Sequence, residues 1–222
     1  MNNHHKNILL SYADRGIYLK LIERLRARCT HYSCPHIIWN KPPNKNRPHR
    51  VSPYGFKLHI IRDAINRGFT TIVWSDSSAY LVKPHQEFFE LVKKHGVVFL
   101  GASDYLQRYV NTRSLDNLGY SRDSLKDTPL ISGTVFGFDF TYPKAMKFFE
   151  EWEQLELEGW FCGDDQKPDK IFTTHRHDEA IASVLLIKHN IDFINAYDHI
   201  NGSKPTVTFR AHKDFINETP IG

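Results

Sequence analysis

The sequence is short of cysteine, of long apolar runs and of one-sided charge, and each shortage excludes something. Its 222 residues hold three cysteines, Cys29, Cys34 and Cys162. Three thiols cannot all pair with one another, and the spacing of Cys29 and Cys34 is not the C-x-x-C of a metal or redox site. They read as free thiols of a reducing compartment. No apolar run approaches the roughly 18 residues that a membrane helix needs, so no membrane span is expected. Met1 to Lys6 is polar, which predicts no signal peptide and a cytoplasmic protein. The net charge is only +4. That suits an anionic small substrate such as a nucleotide, and it is too weak alone to argue for DNA binding. No G-x-x-x-x-G-K-[ST] segment is present, which argues against a P-loop NTPase. Internal repeats and low-complexity stretches are absent as well.

What is present is an alternation of strand-like and helix-like segments. The chain is 41% hydrophobic and 24% charged, ordinary for a globular protein, and its length fits one domain over 1–222. Asn7 to Ala13, His36 to Trp39, Thr70 to Trp74, Tyr80 to Val82, Val97 to Ala102 and Leu130 to Phe140 read as strands. Ile191 to Ile194 and Thr206 to Phe209 read as late strands. Ile17 to Arg28 repeats its apolar residues at Tyr18, Leu21, Ile22 and Leu25, the spacing of one helix face. Gly55 to Arg67, Pro84 to His95, Pro143 to Glu158 and Asp178 to His189 are further helices. Ser103 to Pro129 is a long polar loop with room for one short helix, and Gly159 to Thr174 is a second loop. The alternation predicts an α/β domain with a mostly parallel central sheet and helices on both faces.

In such a sheet, ligands bind at the carboxyl ends of the strands. That rule singles out Ser11, Tyr12, Ala13 and Asp14 after the first strand, and Asp76, Ser77 and Ser78 after TTIVW. Asp76 follows a strand of nearly unbroken hydrophobicity, so its carboxylate is held on rigid backbone at the rim. The competing reading is that Asp76 and Ser78 only shape a turn.

TIVWSDSSAYLVKP resembles the strand-turn-strand of the GT-A glycosyltransferases, in which a D-x-D motif follows a central strand. ISGTVFGFDF is similar to the strand flooring their acceptor side, and HRHDEAIASVLL to the loop-helix that brings a carboxylate near the reacting sugar. The nearest resemblance is to the small GT-A domains with which large algal viruses of the chlorella type glycosylate capsid protein. For a viral chain, the cytoplasm in question is the host's. The resemblance spans roughly Asn7 to His212. It implies a UDP-sugar donor, a glycan or glycoprotein acceptor, and Mn²⁺ or Mg²⁺ held by Asp76, Ser78 and a late histidine, His212. The departure is Ser78, which stands where D-x-D has its second carboxylate, and a hydroxyl is the weaker ligand.

The remaining candidates divide between function and packing. Lys57 precedes Ile60, Ile61 and Ala64 at i+3, i+4 and i+7, so it starts an apolar stripe. It reads either as a cation for the donor or as a lysine snorkelling over apolar surface. Asp178 starts a buried face in the same way. It is the expected catalytic carboxylate, as general base or as stabiliser of positive charge, with a plain helix cap as alternative. Glu179 is its reserve, with Asp164 behind it. The pair His175 and His177 invites a zinc reading that finds no third ligand nearby. Lys41, Lys45, Arg47, His49 and Arg50 form a basic loop for phosphates or a solvated face. Trp160 and Phe161 are candidates to stack on an acceptor sugar, and Asp104, Tyr105 and Arg108 to line the same cleft. The rival from another class is a non-catalytic nucleic-acid-binding domain, suggested by the basic loop and a pI near 8.9.

Overall fold

The structure is a computed structural model and describes residues 6–41, 49–165, 169–192, 194 and 209–211. Strands β1 (Asn7–Tyr12), β2 (His36–Trp39), β3 (Thr71–Ser75), β5 (Val97–Tyr105) and β6 (Pro129–Asp139) form a five-stranded sheet in the order β2-β1-β3-β6-β5. β1 runs parallel to β2 and β3, whereas β6 is antiparallel to both β3 and β5. Only β6 is reversed, so the sheet is mostly parallel as the alternation predicts. The reversed strand is the detail that periodicity does not carry. A second sheet pairs β4 (Ala79–Leu81) with β7 (Phe209–Ala211).

Alternation along each strand divides the core. Leu10, Trp74 and Phe99 face one side, with Phe136 and Phe138, under helices α2 (Phe56–Asn66), α5 (Pro143–Leu157) and α6 (His177–Lys188). Leu9, Val73 and Val98 face the other, under α1 (Gly16–His31) and α3 (Gln86–His95). The first face is mainly aromatic: Phe136 lies 5.0 Å from Phe99 and 5.6 Å from Trp152, centroid to centroid. Such rings bury large areas; the Phe99 pair is stacked and the Trp152 pair edge to face. Gly137 admits α3 to the second face, because a β-carbon there would collide with Val92.

The long loop after β5 is more ordered than its composition suggests. It holds α4 (Thr112–Leu118) and two 3-10 turns, Leu106–Arg108 and Asp123–Leu125. Their apolar residues Leu106, Val110, Leu115 and Leu125 pack with Ala180 and Val184 of α6. Among the late segments, the strand is Phe209–Ala211, while 206–208 lie outside the described residues and 191–192 are not strand. No helix among the described residues is long and apolar enough to cross a membrane.

Candidate active site

A cleft of about 610 Å³ opens at the carboxyl ends of β1 and β3. One wall is sheet-borne. β3 ends at Ser75, and the Asp76 amide donates to the Thr134 carbonyl of β6 at 2.7 Å. The Ala79 amide closes the turn on the Asp76 carbonyl at 2.9 Å. Arg24 of α1 braces the turn from outside: its guanidinium donates to the Ser78 carbonyl at 3.3 Å and lies 3.9 Å over the Tyr80 ring. Tyr12, Ala13, Asp14, Asp76, Ser77 and Ser78 all line the cleft. Ser11 does not. It is fully buried, so a donor contact by its side chain is ruled out.

The other wall comes from the loop before α6 and from the first turn of that helix. Thr174, Arg176, His177, Asp178 and Glu179 line it. Negative charge in a first helical turn is favoured by the helix dipole. His49 and Tyr54 close the mouth between the walls.

Lys57 lines the cleft and joins its walls. Its ammonium donates to Asp178 Oδ2 at 2.9 Å and to the Gly133 carbonyl at 2.9 Å, and lies 3.4 Å from Asp76 Oδ1. Aromatic faces of Tyr54 and Trp74 enclose it at 5.0 and 5.9 Å. Lys57 and Asp178 are each 2% exposed. Burial alone would lower the lysine pKa, but Asp178 and then Asp76 override it, and the pKa is raised. Lys57 is therefore a charged strut at the cleft whose charge is already matched by Asp178 and Asp76.

The carboxylates show the opposite effect. Burial raises the Asp178 pKa to about 6 against the pull of Lys57. Burial also raises that of Asp76, again opposed by Lys57. The Trp74 indole donates to Asp76 Oδ1 at 2.8 Å. Glu179 accepts from the Gly133 amide at 2.9 Å and from the Arg176 guanidinium at 2.7 Å. Asp178 is thus far more than a helix cap. Gly133 lets these groups converge: a β-carbon there would stand 3.1 Å from Asp178 Oδ2, from Glu179 Cγ and from Lys57 Nζ.

Several expectations are corrected. Phe161 is fully buried and Trp160 nearly so, both within the main core, so neither presents a face for an acceptor sugar. Asp104 is spent on Arg108 at 3.0 Å and on the Tyr109 hydroxyl, and Asp104, Tyr105 and Arg108 do not line the cleft. Asp164 is spent on the His175 amide at 2.6 Å. Of the basic loop, His49 reaches the cleft, Lys41 and Arg50 do not, and Lys45 and Arg47 lie outside the described residues. His212 also lies outside them. Tyr54, Thr134 and Arg15 line the cleft without any sequence signal that marks them.

His175 and His177 have different fates. The His175 Nε2–H donates to the Trp160 carbonyl at 3.0 Å, and Nδ1 accepts from the Asn111 amide at 3.3 Å. Burial lowers its pKa to about 4. With both nitrogens committed to backbone it is no metal ligand. His177 lies half-buried at the cleft with a left-handed φ of 49°.

With the site in view, the molecule can be set beside known structures. No family model matches the chain, and no curated protein does. Solved structures do match. A glycosyltransferase involved in the glycosylation of the major capsid of PBCV-1 superposes with a TM-score of 0.53 at 13% identity, over 93% of this chain and 94% of that one. The fold is that of the GT-A-like glycosyltransferases. Mouse xyloside xylosyltransferase 1 in its apo form superposes with a TM-score of 0.50 at 10% identity, over 97% and 99% of the two chains. At such identities the agreement lies in the GT-A-like architecture and not in matched side chains.

The donor set can be tested for a divalent ion. Among the described residues, no group of three or more His, Cys, Asp or Glu side chains forms a metal cage. At the end of β3 a carboxylate stays accessible: the Asp76 side chain is 30% exposed, and its committed oxygen is Oδ1. Asp76, Asp178 and Glu179 outnumber Lys57 and Arg176, so the local charge is negative. This fits Mg²⁺ or Mn²⁺ held by one carboxylate together with substrate phosphates and water, which is how these ions usually bind.

Proposed function

We propose that the chain is a glycosyltransferase that moves a sugar from a UDP-sugar to a hydroxyl of a glycan or glycoprotein. The observation that carries this reading is the cleft itself. It places three carboxylates around one buried lysine at the carboxyl ends of the parallel strands, in a fold shared with two glycosyltransferases.

The nucleotide lies over Tyr12 to Asp14, and its diphosphate reaches Asp76 to Ser78. Asp76 and Ser78 would hold Mn²⁺ or Mg²⁺ there, with His212 as a further ligand. When bound, such an ion would supply positive charge against the charge that gathers on the diphosphate as the glycosidic bond breaks. Asp178 supplies a fixed negative charge beside the transferring carbon and stabilises its positive character. Lys57 keeps that carboxylate in place and ionised. Glu179, tied to Gly133 and Arg176, stiffens the same turn.

A thermal-shift screen of UDP-, GDP- and CDP-sugars, each with Mn²⁺ or with chelator, tests this. Ligands of the native state raise Tm, so UDP-sugars with Mn²⁺ should give the largest rise. Asp76→Asn should abolish the difference between Mn²⁺ and chelator. A rise only with single-stranded oligonucleotides would favour the nucleic-acid-binding reading instead.

A further inference from the structure

Several side chains at the cleft could take a proton from an acceptor hydroxyl: Asp14, which lies beside Arg15 on the side given to the nucleotide, His49 at the mouth, and Asp76, Asp178, Glu179 and His177. Of these last four, three are already engaged. Asp178 holds Lys57, Glu179 holds Arg176 and the Gly133 amide, and Asp76 holds the Trp74 indole. The fourth is His177. Its Nδ1 lies 2.8 Å from the Phe161 carbonyl. A carbonyl only accepts, so Nδ1 carries the hydrogen and the neutral ring keeps its lone pair on Nε2. Nε2 has no hydrogen-bond partner among the described residues.

The backbone is shaped to hold this ring. His177 has φ 49°, and Tyr54, whose ring lies 5.8 Å away, has φ 63°. Non-glycine residues in this region cost energy and tend to be kept where a side chain must be aimed. The groups around the ring are His49 and Tyr54 from the loop before α2, His175 at 5.9 Å between ring centroids, and Arg176, Asp178 and Glu179 on its own segment.

Building on the glycosyl-transfer reading, we infer that His177 is the catalytic base for the acceptor. The acceptor oxygen bonds to the anomeric carbon, and the bond from that carbon to the diphosphate oxygen breaks. Its electron pair leaves with the UDP. The hydroxyl proton passes to Nε2, and the resulting imidazolium is stabilised through its Nδ1–H bond to the Phe161 carbonyl. Asp178 then supplies charge and His177 takes the proton.

The test uses UDP-sugars with p-nitrophenyl glycosides as acceptors. His177→Gly accepts the left-handed φ without strain, and His177→Asn tolerates it. Both should keep the wild-type Tm within a few degrees and the UDP dissociation constant within about threefold, while kcat falls about 10²–10⁴-fold. Free imidazole should restore turnover to His177→Gly in a concentration-dependent way, which a merely structural role does not allow. ¹⁵N NMR should find the neutral ring protonated on Nδ1. Wild-type turnover in either variant, absence of imidazole rescue, or an Nε2–H ring would overturn the assignment. A wild-type protein that binds no nucleotide sugar and turns none over would overturn the glycosyl-transfer reading, and this assignment with it.

Discussion

The two walls of the cleft are made in different ways. The Asp76 wall hangs from β3, is tied to β6 by an amide bond at 2.7 Å, and is braced by Arg24. The opposite wall is a loop end and a first helical turn, held in place by side chains: His175 on Trp160 and Asn111, Asp164 on the His175 amide, Glu179 on Gly133. Backbone pairing within the sheet positions the first wall, whereas the second has two backbone bonds to the loop after β5, Thr173 to the Arg108 carbonyl at 2.8 Å and Arg176 to the Tyr109 carbonyl at 3.0 Å, and otherwise rests on buried charges and side-chain hydrogen bonds. Lys57 is paired with a carboxylate of each wall. The wall built on charge should therefore be the fragile one.

The largest effect should come from Lys57→Met. Removing one partner of a buried pair leaves an uncompensated charge and costs about 3–5 kcal/mol. Urea denaturation should find that loss. Lys57→Met combined with Asp178→Leu should recover much of it, since neighbouring sites couple. Additive losses would mean that the walls are not joined through this pair.

The next effect is pH dependence through His175. Burial lowers its folded pKa to about 4, below the unfolded value of about 6.5. A depressed folded pKa means that the stabilising state is the neutral ring. Its contribution is full above pH about 6.5 and is lost as the pH falls towards 4, at a cost of about 3 kcal/mol. Between those values the wild type should lose stability faster than His175→Gln, and hydrogen exchange should find residues 174–179 loosening before β3. Parallel pH profiles for the two proteins would remove His175 from the account.

A smaller effect tests where the walls meet. In Gly133→Ala the new methyl would press on Asp178, Glu179 and Lys57 at 3.1 Å. Overpacking of this kind costs about 1–3 kcal/mol. The loss should fall more on Asp178-dependent turnover than on Tm. An unchanged kcat would mean that the charged groups can move apart freely.

The same contrast explains what the sequence disclosed. The strand that carries Asp76 is a β-branched, apolar run, and its place in a strand-helix alternation determines where its end must lie. Lys57 and Asp178 showed as polar residues at the start of apolar stripes, which is how a buried ion pair between two helices reads when its partners are unknown. Their contact is long-range, and no local spacing records it. Trp160 and Phe161 misled for a related reason: two aromatics between glycines read as a loop tip, yet the glycines let the chain turn back into the core. In the sequence His177 showed only as half of an H-x-H pair weighed for zinc, because its tautomer depends on the Phe161 carbonyl, sixteen residues away.

Hydrogen exchange with UDP and Mn²⁺ measures most directly whether this cleft is the donor site. Slowed exchange is expected at 76–79 and 174–179, with no change around the small pocket beside Tyr142 and Asn190. Protection at that pocket, or none at either wall of the cleft, would contradict the account.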